Sequence, residues 1–292
     1  MTSIVMTGAT TGLGRVAATH LLTRPGSHLT VGARGASSLP SARVLPLDLA
    51  SLASVRLFVA QIEGEVDVLV LNAGGQRPGV DTRTVDGFET TVAINHLAHY
   101  LLLRLLMPKL APHARVVITS SGTHDPREGA DKVGVPAPRH ADARRLAYPE
   151  TDPGVLRRAL PAGMQAYSSS KLCDVMTALT LAEQPEAADW TVTAYDPGLT
   201  PGTGLVRDQA LFVRVLAPLI LPLIRPFASG MNSLAAAGRG LAVLATDTVL
   251  PPGRVYGALR KARLIWPDPS ELAQDPVART KLWNDSAELV SL

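Results

Sequence analysis

Seven short runs rich in Val, Ile and Leu punctuate the chain, at Ile4–Met6, Leu29–Val31, Val44–Pro46, Val68–Leu71, Val116–Thr119, Val192–Tyr195 and Arg254–Tyr256. Near-continuous apolar runs of this length mark strands covered on both faces, since a half-solvated strand would alternate apolar with polar. Between them, Arg15–Leu22, Leu52–Ile62, Phe88–Leu106, Lys171–Ala182 and Leu234–Ala245 carry apolar residues three to four positions apart. That is the period of a helix with one buried stripe. Strand and helix in alternation predict a parallel sheet, because parallel neighbours need a crossover, and right-handed crossovers lay helices on both faces. The expected fold is α/β and doubly wound, with a mostly seven-stranded parallel sheet, closed as a single domain over residues 1–292. Two stretches break the rhythm: residues 122–166, rich in Pro, Gly, Arg and His, and residues 200–230, an apolar run cut by prolines. Long insertions in compact domains tend to be functional, and these two are expected to form the substrate side.

Composition narrows the field. An apolar share of 46% with only 4% aromatics describes a packed, mostly aliphatic core rather than a disordered chain. The net charge of +3 comes from scattered arginines, and no basic run interleaved with aromatics is present to track a phosphate backbone. No nucleic-acid partner is expected. The single cysteine, Cys173, excludes an internal disulfide and a cysteine-built metal site; two residues past Lys171 on a helix, it reads as core. His96, His99, His124 and His140 lack metal-ligand spacing and carboxylate partners, so no metal is expected. A serine hydrolase would need a Gly-x-Ser-x-Gly elbow, which does not occur. The opening residues lead straight into a strand rather than a secretory signal. Leu216–Ile224, bracketed by Arg214 and Arg225 and broken by Pro218 and Pro222, is too short to cross a bilayer. These features predict a cytoplasmic protein with no integral membrane segment. Ala210–Phe227 reads as a lid over a greasy substrate, the other readings being a membrane-surface helix or a dimer contact. Monomer and homo-oligomer both stay open.

Directly after the first strand comes Thr7-Gly8-Ala9-Thr10-Thr11-Gly12-Leu13-Gly14, and then a helix. Glycines at this turn let the backbone bend sharply and approach a pyrophosphate held by the helix N-terminus, as in a dinucleotide-binding (Rossmann) sheet. The position about twenty residues past the last glycine reads the ribose. Here it is Arg34, with no carboxylate nearby, which suits a 2′-phosphate and favours NADP(H) over NAD. Asp48-Leu49 closes the third strand, where an adenine edge can be met, and Asn72-Ala73-Gly74 closes the fourth, where the chain must pass close to the cofactor.

Tyr167-Ser168-Ser169-Ser170-Lys171 sets a phenol and an ammonium four residues apart, on one face of a helix. The cation is expected to pull the phenol's pKa down, so that it can give or take a proton near neutral pH. Ser120-Ser121 at the end of the fifth strand and Asn95 in the preceding helix are placed to converge on the same crevice. A serine hydroxyl can bond a substrate oxygen, and the asparagine can hold a water that relays protons to the lysine.

The set from Thr7–Gly14 through Asn72–Gly74, Asn95, Ser121, Tyr167 with Lys171, and Pro197-Gly198 resembles the short-chain dehydrogenase/reductase family over nearly the whole chain. Asp48–Leu52 with Ser54–Arg56, Asn95–Tyr100 and Leu282–Ser286 resemble its retinol dehydrogenase and light-dependent protochlorophyllide reductase branch. Closer to the latter are Lys171-Leu172-Cys173, the long insertion before Tyr167, and Gly202–Leu205. The resemblance implies that Tyr167 donates the proton, Lys171 binds the nicotinamide ribose and tunes the phenol, Ser121 positions the carbonyl, and Asn95 supports a water relay. It implies too that Ser120 touches the nicotinamide through its backbone, and that Pro197, Gly198 and Thr200 meet its carboxamide side. Leu199 departs from the pattern, standing where protochlorophyllide reductases usually carry cysteine. The expected enzyme is an NADPH-dependent oxidoreductase acting on a bulky hydrophobic carbonyl, alcohol or conjugated alkene. Its alternatives are protochlorophyllide reductase-like alkene reduction and a non-redox dehydratase or cyclase on the same fold.

Overall fold

The computed structural model describes residues 1–35, 39–201 and 231–292. One sheet carries β1 Thr2–Thr7, β2 Ser27–Ala33, β3 Arg43–Pro46, β4 Val66–Leu71, β5 Leu110–Thr119, β6 Thr191–Asp196, β7 Tyr256–Arg260 and β8 Arg263–Ile265. Their order is β3-β2-β1-β4-β5-β6-β7-β8. The first seven run parallel, with Ile4 between Leu29 and Val68, and β8 turns back antiparallel on β7. Around the sheet lie α1 Gly12–Leu22, α2 Leu52–Ala60, α3 Thr90–Val92, α4 Ala98–Leu106, α5 Ala143–Ala147, α6 Ala159–Ala182, α7 Leu234–Thr246, α8 Glu271–Gln274 and α9 Pro276–Leu289. A π turn, Ala93–Leu97, joins α3 to α4.

Successive residues of a strand point to opposite faces, and here both faces are dry. Ile4, Met6, Val31, Val70 and Val117 pack with residues of α1 and α7, whereas Val5, Leu69, Leu71, Val116 and Ile118 pack with residues of α2, α4 and α6. This double burial explains the continuous apolar runs in the sequence. Side-chain caps start two of the sheet-covering helices: the Ser54 amide donates to Ser51 Oγ ahead of α2, and the Ala236 amide to Ser233 Oγ ahead of α7. The strand order reverses between β1 and β4, so a crevice opens at their carboxyl ends, where ligands bind in such sheets.

The doubly wound parallel fold is as expected, with three corrections. First, the sheet has eight strands, and β7 begins at Tyr256 rather than Arg254. The hairpin it makes with β8 turns on Lys261 and Ala262, both at positive φ, without the Asn-Gly that usually signals such a turn. Gly257 in β7 is obligatory, since a β-carbon there would stand 2.8 Å from the Trp266 ring. Second, α6 starts at Ala159, inside the stretch read as an insertion. Pro161 falls in its first turn, where a missing N–H costs nothing. Gly163 lets the loop after β4 cross closely, a β-carbon there meeting the Arg77 carbonyl oxygen at 2.2 Å. Third, the C-terminal α9 lacks a clear apolar stripe, burying only Leu282 and Ser286. It is held by tertiary contacts: Trp283 packs edge-on against Tyr100 with ring centres 5.1 Å apart, and His96 bonds Ser286 Oγ at 2.9 Å. The motif segments Asn95–Tyr100 and Leu282–Ser286, far apart in sequence, are therefore neighbours. The substrate-side segment 200–230 falls almost wholly outside the described residues, as does the Ala210–Phe227 reading.

Candidate active site

The glycine turn is built around Thr7. Its Oγ1 accepts from the amides of Asn72, at 3.0 Å, and Ala73, at 3.1 Å, and lies 2.9 Å from His99 Nε2. A hydroxyl has two lone pairs and one hydrogen. With both lone pairs taken, the hydrogen goes to His99 Nε2, so the imidazole proton sits on Nδ1 and donates to the Asn95 carbonyl at 3.0 Å. Burial holds His99 neutral by pushing its pKa down to about 3. Asn72 completes the lacing: its Nδ2 donates to the Gly8 carbonyl at 3.1 Å, and its Oδ1 accepts from Thr119 Oγ1 at 3.0 Å. The ends of β1, β4 and β5 are thus locked together.

Gly8 and Gly14 are required by this packing. A β-carbon at Gly14 would lie 2.0 Å from the Gly8 carbonyl oxygen, and one at Gly8 would lie 2.6 Å from the Ala73 backbone, where φ is also +69°. Thr11 precedes α1 without a side-chain cap, so the first-turn amides around Gly12, Leu13 and Gly14 are left for an outside acceptor. Thr10 and Thr11 sit at the rim, Thr11 exposed, while the Leu13 side chain is buried and only its backbone can serve a ligand. Arg34 is exposed at the end of β2. Asp48 closes its own turn by accepting from the Ala50 amide at 3.0 Å, and Leu49 packs into the core, so that residue too offers backbone alone.

Tyr167 and Lys171 share one buried face of α6, the ammonium 5.9 Å from the phenol ring centre. Lys171 Nζ donates to the Thr119 carbonyl at 2.9 Å and to Asp174 Oδ2 at 2.8 Å. Ser121, at the end of β5, stands near enough to the Tyr167 phenol for its hydroxyl to draw the phenol's pKa down. Ser120 is turned away: its hydroxyl donates to the Lys171 carbonyl at 2.8 Å and its amide to the Tyr195 carbonyl at 2.7 Å. Asn95 clamps the loop after β4, with Nδ2 donating to the Gly75 carbonyl and to Ser170 Oγ, and Oδ1 accepting from the Gly75 amide, all at 2.9 Å. Both amide hydrogens are committed, so a relay at Asn95 would run along its oxygens. Gly74 lies against this cluster, where a β-carbon would stand 3.3 Å from Asn95 Oδ1 and 3.6 Å from Lys171 Nζ.

On the far wall, the turn after β6 is fixed by Asp196, whose carboxylate accepts from the Gly198 amide at 2.9 Å and pairs with Arg260 at 2.8 Å. Thr200 folds back, its hydroxyl 3.1 Å from the carbonyls of Pro197 and Gly198. Asn232 Nδ2 donates to the Pro197 carbonyl at 2.9 Å and to the Leu259 carbonyl at 2.8 Å, tying this turn to β7.

The expected lowering of the phenol's pKa is corrected. Burial is the largest influence and moves Tyr167 up; the Lys171 charge and the nearby Ser121 hydroxyl pull down, and the carboxylates of Asp196 and Asp174 push up again, with a net rise. Burial, the largest influence, would lower Lys171, but Asp174 and Tyr167 together outweigh it, and the ammonium is held charged. The Cys173 thiol is buried and pushed up, inert core as read from the sequence.

Four residues of this site carry no signal as single letters: His99, Asp174, Asp196 and Asn232. Asp174 alone had a local cue, since it stands one turn beyond Lys171. Among the described residues no cluster suited to a metal ion occurs, and no helix is long and apolar enough to cross a membrane.

Comparison with known proteins bears on this constellation. The short chain dehydrogenase family model matches residues 2–129. Protochlorophyllide reductase A, chloroplastic, of Hordeum vulgare is 34% identical over 99% of this chain and 80% of its own length, and protochlorophyllide reductase of Avena sativa is 33% identical over 99% of each. Among solved structures, an uncharacterized protein from Mycobacterium Paratuberculosis superposes with a TM-score of 0.72 at 28% identity, over 100% of this chain and 94% of that one.

Proposed function

Since the chain belongs to the short-chain dehydrogenase/reductase family, on its protochlorophyllide reductase-like branch, we propose that it is an NADPH-dependent reductase of a bulky hydrophobic carbonyl or conjugated alkene. One observation carries the reading: the buried Tyr167 and Lys171 stand with the half-buried Ser121 at the carboxyl end of β5, beside a turn whose first helical amides are left for an outside acceptor. The fit to a dinucleotide rests on Gly8 and Gly14, where any β-carbon would collide, and on the uncapped start of α1. Gly8, Thr10, Thr11, Gly12, Leu13 and Gly14 would hold the phosphates, Arg34 the 2′-phosphate, and the edges of Asp48, Leu49, Asn72, Ala73, Gly74 and Ser120 the nucleoside parts. Pro197, Gly198 and Thr200 would border the carboxamide.

When bound, NADPH supplies the hydride. The chain's own residues place and protonate the substrate: Ser121 bonds its oxygen, Tyr167 donates the phenolic proton, Lys171 steadies the resulting phenolate, and Asn95 fixes the loop that closes this corner. The likeness to protochlorophyllide reductases favours a conjugated alkene as a second class of acceptor. A reducing compartment such as the cytoplasm suits the single free thiol.

The test follows nicotinamide absorbance over a panel of bulky apolar ketones, aldehydes and conjugated alkenes. Wild-type protein is expected to oxidise NADPH. Tyr167→Phe is expected to bind NADPH with unchanged affinity while kcat drops by at least about a hundredfold, the usual worth of a positioned acid. Product formation without net NADPH consumption would replace this reading with a dehydratase or cyclase.

A further inference from the structure

Asp174 has no place in the roles assigned so far, yet it is as buried as the lysine it touches. It stands one turn beyond Lys171 on α6, its carboxylate 2.8 Å from the ammonium, with side-chain exposures of 2% and 4%. Lys171 has three N–H donors. Thr119 and Asp174 take two, and the backbone of Gly74 passes beside the ammonium, where a β-carbon would lie 3.6 Å from Nζ. The carboxylate therefore fixes the direction of the third donor. It changes the field as well. A lone ammonium would draw the phenol towards phenolate, whereas an ammonium paired at contact distance acts on Tyr167 as a dipole, whose reach is shorter.

The charges around this pair leave Asp174 as its partner. His96 and His99, facing Lys171 from the π turn and α4, are held neutral by burial. Asp196, at the end of β6, is itself paired with Arg260, and the buried Cys173 thiol stays protonated. Among the described residues no other carboxylate bonds Lys171.

Resting on the reading of Tyr167 as the proton donor, we propose that Asp174 is a positioning residue that fixes the Lys171 ammonium and offsets its charge, leaving the phenol protonated and set to give its proton. In reduction the substrate's double bond gains a hydride at one atom and the phenolic proton at the other, NADPH is oxidised to NADP, and Tyr167 recovers its proton from water.

The experiment is an ultraviolet titration of tyrosinate absorbance, taken as the difference between wild type and Tyr167→Phe so that only this phenol is read, without cofactor or substrate. Asp174→Asn, which keeps size and shape, is expected to move the Tyr167 midpoint down by about one pH unit or more, and Asp174→Glu to restore most of it. An unchanged midpoint in Asp174→Asn overturns the proposal. Should that variant not fold, the wild-type midpoint decides, a value below the ordinary phenol range near about 10 overturning it. A parallel pH profile of NADPH oxidation by Asp174→Asn is expected to lose its basic limb at correspondingly lower pH. Because the titration needs no turnover, a shift in a chain that never oxidises NADPH would sink the redox reading and leave standing only the coupling of Asp174 to the phenol through Lys171.

Discussion

Arg34 stands exposed at the end of β2 with no acidic neighbour in sequence, so its guanidinium is free to meet a phosphate that NADPH carries and NADH lacks. Arg34→Ala is expected to weaken NADPH about ten- to a hundredfold, the worth of a charge-assisted contact, and to leave NADH affinity within twofold; equal losses for both would remove Arg34 from the ribose site. Calorimetric titration with each nucleotide measures this directly. At the same scale, the phenol's environment shows how a residue pair mislead when read alone. Tyr167 and Lys171, four apart on a helix, suggest a phenol eased towards ionisation. The folded chain adds burial and two carboxylates, and the balance goes the other way.

Among the elements, those that cross the sheet interior were legible, and those that depend on partners were not. α1, α2 and α7 bury a stripe, α2 and α7 start at side-chain caps, and the parallel strands bury both faces. By contrast, α9 is polar nearly all round and is held because Leu282 joins the core, Trp283 meets Tyr100 of α4 and Ser286 meets His96 of the π turn. Leu282→Ala should therefore cost about 2–5 kcal/mol, as for other fully buried leucines. A drop of several degrees in Tm is expected with NADPH affinity nearly unchanged, since Leu282 packs in the core and not against the glycine turn or Tyr167. A loss of NADPH binding beyond the loss of stability would show that α9 shapes the site. The π turn carrying Asn95 was legible only as helix, because one extra residue per turn leaves the apolar spacing almost intact.

For the molecule as a whole, acid stability follows from its buried imidazoles. His96 and His99 are pushed by burial from 6.5 to about 3. A lowered folded pKa gives stability that is present above the unfolded value and lost as pH falls towards the folded one. Each histidine then removes about 1.4 kcal/mol per pH unit between those limits. Asp174, raised from 3.8 to about 6 mainly by burial, acts in the opposite sense across that narrower window, one group against two. Net destabilisation is expected from about pH 6.5 downwards, read as a falling Tm. His96→Gln should flatten the curve, and a curve of unchanged slope in that variant would show that His96 takes up no proton on unfolding. The alternation of strand-type and helix-type runs, the glycine turn and the Tyr167–Lys171 spacing were decided by the sequence itself, because each depends on neighbours within a turn or a strand. What only the tertiary structure decided was which distant groups meet. His99 lies against Thr7, Asp174 screens the lysine, Asn232 ties down Pro197, and α9 covers α4, because burial and hydrogen-bond saturation are properties of the assembled neighbourhood and not of any stretch of chain.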